Sequence, residues 1–273
     1  MIFRTFFEGP RRHLSRLVKS QKYRQWNLLN AKLANIPRFV ETDINVDGWQ
    51  LKVPDVASFL SAYNEIFINE IYDFKAFSHP PRILDLGANI GLSVLFFKKH
   101  FPESSVTAFE ADPRIFEYLQ HNVYGNNYRD VTLINQAAWN EETTLKFFSE
   151  GADGGRVSAV DEGDMIAVRA IDIRSHLAEN QYDFLKMDIE GAEEVVLPAC
   201  AGYLKSFRYI FVEYHSRVGQ QQCLPELLSL LKDAGFRLNI QPVFHSSKPF
   251  VQLQESSGFD LQLNIFAVKE SGE

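Results

Sequence analysis

The chain has 273 residues, of which 45% are hydrophobic and 23% are charged. This composition is typical of a folded globular protein and excludes disordered and collagen-like chains. No apolar run approaches the roughly 18 residues that a membrane-spanning helix needs, and charge interrupts the first residues before a signal-peptide core can form. We therefore expect a cytoplasmic protein. Cys200 and Cys223 fit neither a zinc motif nor a disulfide framework, so two reduced thiols are expected.

Charge is distributed unevenly along the chain. Residues 1–40 contain nine basic side chains and a single acidic one, although the whole chain has a net charge of −7. Apolar residues recur there at three- and four-residue spacing, from Leu14 to Leu33, which predicts one or two amphipathic helices. We favour a helical cap that packs on the acidic remainder with its basic side chains in solvent. A membrane surface or a protein partner for residues 1–40 is the alternative.

The order of predicted elements indicates an α/β fold. Residues 39–79 form a bridging stretch, with a strand at residues 49–53 and helical spacing over residues 56–74. Further strands are predicted at residues 83–86, 105–110, 131–136, 144–148, 184–188 and 209–213, with helices at residues 92–100, 113–124 and 172–178, from residue 191, and at 224–234. The runs at residues 236–240 and 261–268 have no helix between them and predict an antiparallel hairpin. The pattern favours a mostly parallel seven-stranded sheet in residues 80–273, preceded by an extension of residues 1–79.

A glycine-rich turn joins the first strand of this sheet to the following helix. It contains Gly87, Ala88, Asn89 and Gly91 and follows Asp85, which gives the sequence D-x-G-x-x-x-G. A dinucleotide fingerprint would need two more glycines, one of them in place of Asn89, so a pyrophosphate ligand is disfavoured. Asp85 is suited to accept hydrogen bonds from an ammonium group, and the free amides at the helix start are suited to a carboxylate. An amino acid carries both groups.

A second acid follows the next strand. Glu110 ends that strand, and an acid at this place is suited to bind both hydroxyls of a ribose. An amino acid and a ribose together describe S-adenosylmethionine. We expect its adenine against Phe109 and the end of the third strand, where Gln136 and Ala137 are candidate contacts. Ala111, beside the ribose acid, completes the set of predicted cofactor residues.

Four segments carry a family pattern, in this order: L-D-L-G-A-N-I-G-L-S at residues 84–93, F-E-A-D-P at 109–113, K-M-D-I-E-G-A-E at 186–193 and V-E-Y-H at 212–215. They resemble the FkbM family of S-adenosylmethionine-dependent methyltransferases over about residues 80–245. The resemblance implies a Rossmann-like class I methyltransferase fold, S-adenosylmethionine as cofactor, and methylation of hydroxyl groups on sugars or secondary metabolites. Ala111 departs from the proline that is usual in the family, and we expect it to loosen the turn slightly.

Methyl transfer to a hydroxyl needs an in-line geometry and a group that accepts the hydroxyl proton. Asp188, at the end of the fourth strand, is the first candidate for substrate orientation or for the base. Glu190 lies two residues on and is expected to share that task. His215, at the end of the fifth strand, is a third candidate because imidazole titrates near neutral pH. Glu193 and Glu194 are expected to stabilise a helix amino terminus through its dipole.

A magnesium site is an alternative at the same place. Asp188, Glu190 and Glu213 offer the hard oxygen ligands that Mg²⁺ prefers. No ligand spacing demands a metal, so we predict a metal-free site. Two loops, residues 151–156 and 242–258, are expected to shape the acceptor pocket.

Two other functional classes stay open. One is a catalytically silent module that keeps the cofactor fold and binds a partner through residues 1–40. Retention of Asp85, Glu110 and Asp188 together argues against it. The other is a nucleic-acid methyltransferase, but residues 41–273 have a net charge of −15 and would repel a phosphate backbone. We therefore expect a small-molecule or carbohydrate acceptor and no nucleic acid.

Overall fold

The computed structural model describes residues 20–148, 156–157 and 165–269. The helices are α1 Gln21–Leu33, α2 Val56–Tyr63, α3 Leu92–His100, α4 Pro113–Gly125, α5 Ile173–Glu179, α6 Glu193–Ala199 and α7 Leu224–Asp233. The strands are β1 Thr42–Val46, β2 Trp49–Val53, β3 Arg82–Leu86, β4 Ser105–Phe109, β5 Thr132–Ile134, β6 Ala137–Trp139, β7 Thr143–Phe148, β8 Arg156–Val157, β9 Met165–Asp172, β10 Phe184–Met187, β11 Tyr209–Arg217, β12 Arg237–Phe244 and β13 Phe259–Val268.

The central sheet has seven strands in the order β12-β13-β11-β10-β3-β4-β5. The five strands from β11 to β5 are parallel, and β13 runs antiparallel to both β11 and β12. The chain moves from β3 outward to β5 and then returns to β10 on the other side of β3. In such sheets ligands bind beyond the carboxyl ends of the strands where the order reverses, which here lies between β3 and β10. The predicted Rossmann-like fold with a closing antiparallel hairpin is confirmed.

Apolar clusters cover both faces of the sheet. Ile83 of β3 belongs to a cluster with α3 and α4, whereas Leu84 and Leu86 belong to a cluster with α5, α6 and α7. Successive side chains of a strand point to opposite faces, so this division follows from the period of two. Asp85 therefore lies on the face that α3 covers, beneath the start of that helix.

The amino-terminal segment packs on the same face. Trp26 and Leu33 of α1 are buried in the cluster that contains Ile83, and Ser20 caps the helix by accepting a hydrogen bond from the Tyr23 backbone N–H. The predicted helical cap is confirmed for residues 21–33. Leu14 and the other apolar residues before Ser20 lie outside the described residues, and the domain boundary at residue 79 stays a prediction.

Several elements differ from the sequence-based prediction. The helix predicted over residues 56–74 ends at Ile68, because a π-helical turn at Asn64–Ile68 closes it through a bond from the Asn69 N–H to the Asn64 carbonyl. The third strand ends at Ile134 rather than at residue 136. The chain then enters a second sheet, in the order β6-β9-β7-β8, of which only β7 was predicted as a separate strand. β1 and β9 were not predicted.

In the described part of the chain, no helix combines the length and the apolar character that crossing a bilayer requires.

Candidate active site

Two cavities meet beyond the carboxyl ends of β3 and β10. The larger has a volume of about 260 Å³ and lies towards α2 and β11, and the smaller has a volume of about 80 Å³ and lies towards β4 and β6. The residues that line both cavities are Gly87, Asn89, Asp188 and Glu190. These four come from the two turns that follow β3 and β10, so the switch point of the sheet forms the boundary between the cavities.

Gly87 lets the two turns approach each other. Its φ is +83°, and a Cβ atom added there would lie 1.8 Å from the carbonyl oxygen of Asp188. The backbone N–H groups of Gly87 and Ala88 both donate to the carbonyl of Phe109, at 3.0 and 2.9 Å. Glycine is the residue that accepts this conformation without steric cost, which explains its place at this turn. Ala88 lines the larger cavity.

The structure gives Asp85 other partners than the predicted ligand ammonium. Its carboxylate is fully buried, accepts a hydrogen bond from Ser93 Oγ at 2.5 Å, and lies 3.2 Å from Lys186 Nζ. Asp85 is not among the residues that line either cavity. Lys186 does line the larger cavity, where it donates to the Gly87 carbonyl at 2.7 Å and lies 3.7 Å from Asp188. Lys186 thus stands between Asp85 and the cavity.

Glu110 lies on the wall of the smaller cavity and holds two turns in place. Its carboxylate accepts the backbone N–H groups of Asn89 and Asp112, each at 2.9 Å. Burial raises the pKa of Glu110 from 4.5 to about 7, although both hydrogen bonds act in the opposite direction. The carboxylate therefore changes charge near neutral pH, and the lone pairs that these two bonds leave remain available to a ligand.

The predicted adenine contacts also meet at the smaller cavity. Phe109, Ala111, Gln136 and Ala137 line it together with Glu110. Asn135 donates from Nδ2 to the carbonyls of Glu110 and Ala111, which supports the turn where the family's proline is missing.

Gly91 lies apart from both cavities. Its φ is +93°, and an added Cβ would lie 2.8 Å from Leu119 Cδ1. Gly91 therefore allows the close packing of α3 against α4, and its predicted contact with a cofactor stays a prediction.

A single buried carboxylate organises the predicted catalytic residues. Glu193 accepts the N–H groups of Ile189 and Gly191, at 2.8 and 2.9 Å, and lies 3.3 Å from His215 Nδ1. This fixes the turn that carries Asp188 and Glu190, and it orients the imidazole ring. The dipole interpretation of Glu193 was therefore incomplete, because its main contacts are this turn and His215.

His215 faces carboxylates with both ring nitrogens. Nε2 lies 3.6 Å from Glu190 and 3.7 Å from Glu213, opposite the Nδ1 contact with Glu193. Burial alone would lower the pKa of His215, but these carboxylates, Glu193 foremost, raise it well above the ordinary value. A cationic imidazole does not accept a proton, so this arrangement favours Asp188 over His215 as the base.

The geometry brings possible metal ligands together. One ligand atom each of Asp188, Glu213 and His215 lie within 4.8 Å of one another. A metal would have to compete with the proton on His215 and with Lys186, which already neutralises Asp188. The metal-free site stays a prediction.

Sequence reasoning did not single out Lys186 or Glu65 as site residues. Lys186 is a charged residue within the apolar strand Phe184–Met187, a pattern that indicates a buried ion pair. Glu65 lines the larger cavity from the π-helical turn. Its only signal in the sequence is an acid within an apolar helical run, because nothing local predicts the turn that directs it to the cavity.

A strand order that reverses between β3 and β10, with two cavities and several carboxylates at that point, is typical of α/β proteins that bind a ligand at the switch point of the sheet. Residues 85–238 match the methyltransferase FkbM domain. The chain belongs to this family, whose members use S-adenosylmethionine, and it is an S-adenosylmethionine-dependent methyltransferase. The family resemblance read from the four sequence segments is confirmed.

Relatives with assigned names agree with this class. The chain is 28% identical over 211 residues to "Methyltransferase sdnD" of Sordaria araneosa, covering 64% of this chain and 80% of that protein. It is 28% identical over 160 residues to "Methyltransferase 1" of Beauveria bassiana, covering 50% of this chain and 64% of that protein. Among solved structures, M. jannaschii TYW2 in complex with AdoMet aligns at 15% identity with a TM-score of 0.46, covering 85% of this chain and 87% of that one.

Proposed function

We propose that this protein transfers the methyl group of S-adenosylmethionine to a hydroxyl group of a small-molecule or carbohydrate acceptor. The observation that carries the proposal is the boundary shared by the two cavities. A donor whose nucleoside lies in the smaller cavity and whose amino-acid part reaches Lys186 in the larger one would present its methyl group beside Asp188 and Glu190, where the acceptor would enter. Bringing two reactants together in line is the main requirement of this reaction.

The residues around the smaller cavity fit the nucleoside part of the cofactor. Glu110 offers a carboxylate for the ribose hydroxyls, and Phe109 and Ala137 offer an apolar slot for adenine. For the amino-acid part, Asp85 is proposed to act indirectly, by holding Lys186 beside the Gly87 carbonyl. In this arrangement Lys186 is suited to a ligand carboxylate.

The cofactor, when bound, supplies an electrophilic methyl group on a sulfonium. Asp188 would accept the proton of the acceptor hydroxyl and so make its oxygen a better nucleophile. Glu193 keeps Asp188 in place through the turn, and the cationic His215 stabilises the neighbouring carboxylates.

The proposal is tested first by titration calorimetry with S-adenosylhomocysteine. We expect a single binding site per chain, followed by transfer of a labelled methyl group from S-adenosylmethionine to hydroxyl-bearing acceptors in a panel of sugars and secondary metabolites. The absence of binding by both forms of the cofactor would contradict the proposal. Transfer to nitrogen or carbon alone would contradict its restriction to hydroxyl groups.

The titration of Glu110 predicts that cofactor binding depends on pH. Ribose hydroxyls donate hydrogen bonds to the ionised carboxylate, and a pKa of about 7 leaves most of Glu110 protonated at acidic pH. S-adenosylhomocysteine should therefore bind about tenfold more weakly at about pH 6 than at about pH 8. Calorimetry at the two pH values measures this. Glu110→Gln is the control: its binding should be weak and independent of pH, and a wild-type affinity that is equal at both values contradicts the assignment.

Three further predictions from the sequence are part of this proposal. They are an acceptor other than nucleic acid, a cytoplasmic location, and a helical cap formed within residues 1–40. The net charge of −15 in residues 41–273 supports an acceptor other than nucleic acid.

A further inference from the structure

A buried tyrosine outside the family match forms part of the larger cavity. Tyr72 lies in the segment between the π-helical turn and β3, ahead of residues 85–238 that match the family. It is 3% exposed, and its side chain lines the larger cavity. The match to the family therefore gives Tyr72 no role, although the residue lies at the site.

Three aromatic rings fix the position of the Tyr72 ring. Phe211 of β11 meets it edge-on, with 4.9 Å between the ring centroids. Phe96 and Phe97 of α3 contact it at 6.4 and 5.8 Å, and all three phenylalanines are buried. Such ring pairs are favourable, and close packing holds a buried side chain in one rotamer. The direction of the hydroxyl is therefore set before a ligand arrives.

The strand register places this ring beside the switch point of the sheet. Phe211 pairs with Lys186, and Lys186 pairs with Asp85, so their side chains lie side by side on the face that α3 covers. Lys186 and Asp188, which are 3.7 Å apart, line the cavity together with Tyr72. Tyr72 therefore faces the part of the cavity that the amino-acid part of the cofactor would reach.

The Tyr72 hydroxyl has capacity for a ligand. It forms no hydrogen bond with the other described residues of the chain. A phenol hydroxyl has one hydrogen to donate and lone pairs that accept, and buried polar groups are nearly always hydrogen-bonded. A fixed and unpaired hydroxyl on the wall of a cavity therefore points to a bound group that completes its hydrogen bonds.

The surrounding charges decide which group that is. Burial raises the pKa of Tyr72 well above its ordinary value, and the charges of Asp188 and then Glu65 raise it further. The hydroxyl is therefore neutral at physiological pH, with carboxylates as its nearest charged groups. A second carboxylate brought to this hydroxyl would be repelled, whereas an ammonium group would be attracted by Asp188 and would donate to the phenol oxygen.

We propose that Tyr72 is a cofactor-binding residue whose hydroxyl oxygen accepts a hydrogen bond from the ammonium group of the amino-acid part of S-adenosylmethionine. This inference rests on the proposed function, because it uses the placement of the cofactor given there. It makes the segment before β3 a part of the cofactor site. Lys186, on the other side of the same space, remains the partner of the cofactor's carboxylate.

The experiment removes one oxygen from the protein and one amino group from the ligand. S-adenosylhomocysteine, its deamino analogue and methylthioadenosine, which lacks the whole amino-acid part, are titrated calorimetrically into the full chain and into Tyr72→Phe. The variant keeps the ring and its aromatic contacts. It should bind S-adenosylhomocysteine about tenfold or more weakly, the usual effect of losing a hydrogen bond to a charged group. Its affinity for the other two ligands should equal that of the wild type.

The matched control is Tyr63→Phe. Tyr63 is also buried, but its hydroxyl donates to Asp47 at 2.9 Å and it lines neither cavity, so its loss should leave all three affinities unchanged. Wild-type affinity of Tyr72→Phe for S-adenosylhomocysteine overturns the inference. So does an equal loss for the deamino analogue, because the hydroxyl would then serve the carboxylate or the packing.

Two further outcomes also decide the matter. If the wild type binds the deamino analogue as tightly as S-adenosylhomocysteine, no ammonium site exists and the inference is wrong. If Tyr72→Phe lowers turnover with an unchanged affinity for S-adenosylhomocysteine, the hydroxyl serves the acceptor and the inference is again wrong. Failure of the wild type to bind S-adenosylhomocysteine at all would instead contradict the proposed function.

Discussion

Replacing Asp188 with asparagine is expected to lower turnover by about two to four orders of magnitude, the usual contribution of a positioned base. The amide has the shape of the carboxylate but does not take up the acceptor proton. Lys186 loses its contact at 3.7 Å yet keeps Asp85 and the Gly87 carbonyl, so the turn should stay in place. Affinity for S-adenosylhomocysteine should therefore change by only a few-fold.

The measurement pairs single-turnover methyl transfer, on any acceptor that the wild type methylates, with calorimetry of S-adenosylhomocysteine. Asp233→Asn is the matched control, since Asp233 is exposed at the end of α7. It should leave both quantities unchanged. Wild-type turnover in Asp188→Asn would remove Asp188 from the mechanism. A large loss of cofactor affinity would show that Asp188 binds the donor rather than the acceptor proton.

His215 shows which features of the site the sequence predicts and which depend on the three-dimensional structure. The V-E-Y-H segment places it at the end of a strand, and the structure extends that strand to Arg217 with His215 inside it. Its contact with Glu193 joins residues 22 positions apart on neighbouring elements. Spacing along the chain shows that such groups are available, but the sign of the pKa shift depends on which carboxylates fold around the ring.

Asp85 and Lys186 lie in two of the four sequence segments, and they show the same limit of sequence-based prediction. The short apolar runs of β3 and β10 predict the strands and their burial correctly. The register pairs Lys186 with Asp85, and that register depends on long-range strand pairing. The sequence therefore identified Asp85 as a charged residue near the end of β3 and assigned it to the ligand. In the structure its partners are the side chains of Ser93 and Lys186.

The amino-terminal half of the larger cavity was the least predictable part. Apolar spacing over residues 56–74 predicts a continuous helix, because periodicity does not distinguish an α-helical turn from a π-helical one. The π-helical turn, with its bond from the Asn69 N–H to the Asn64 carbonyl, is the segment that carries Glu65. Glu65 then meets Asn264, 199 positions later, through a contact that only the closed sheet creates.

Replacing Gly87 with alanine is expected to have the largest effect on the fold around the site. The left-handed φ of +83° costs a residue with a side chain about 1–2 kcal/mol, and the new methyl group would lie 1.8 Å from the Asp188 carbonyl oxygen. Because backbone on both sides resists displacement, we expect a total loss of about 3 kcal/mol or more in the free energy of unfolding. The turn that carries Asp188 should also move, which weakens S-adenosylhomocysteine binding at least about tenfold.

Two other glycines allow the conformational cost of Gly87→Ala to be measured apart from its steric cost. Gly48 has a φ of +86° with nothing within 4 Å of an added Cβ, so Gly48→Ala measures the conformational cost alone. Gly202 has neither a left-handed φ nor a close neighbour, so Gly202→Ala should change stability little. Denaturant unfolding and calorimetry of the three variants give the comparison. If Gly87→Ala loses no more stability than Gly48→Ala and binds S-adenosylhomocysteine normally, the close approach of the two turns is not what holds the site together.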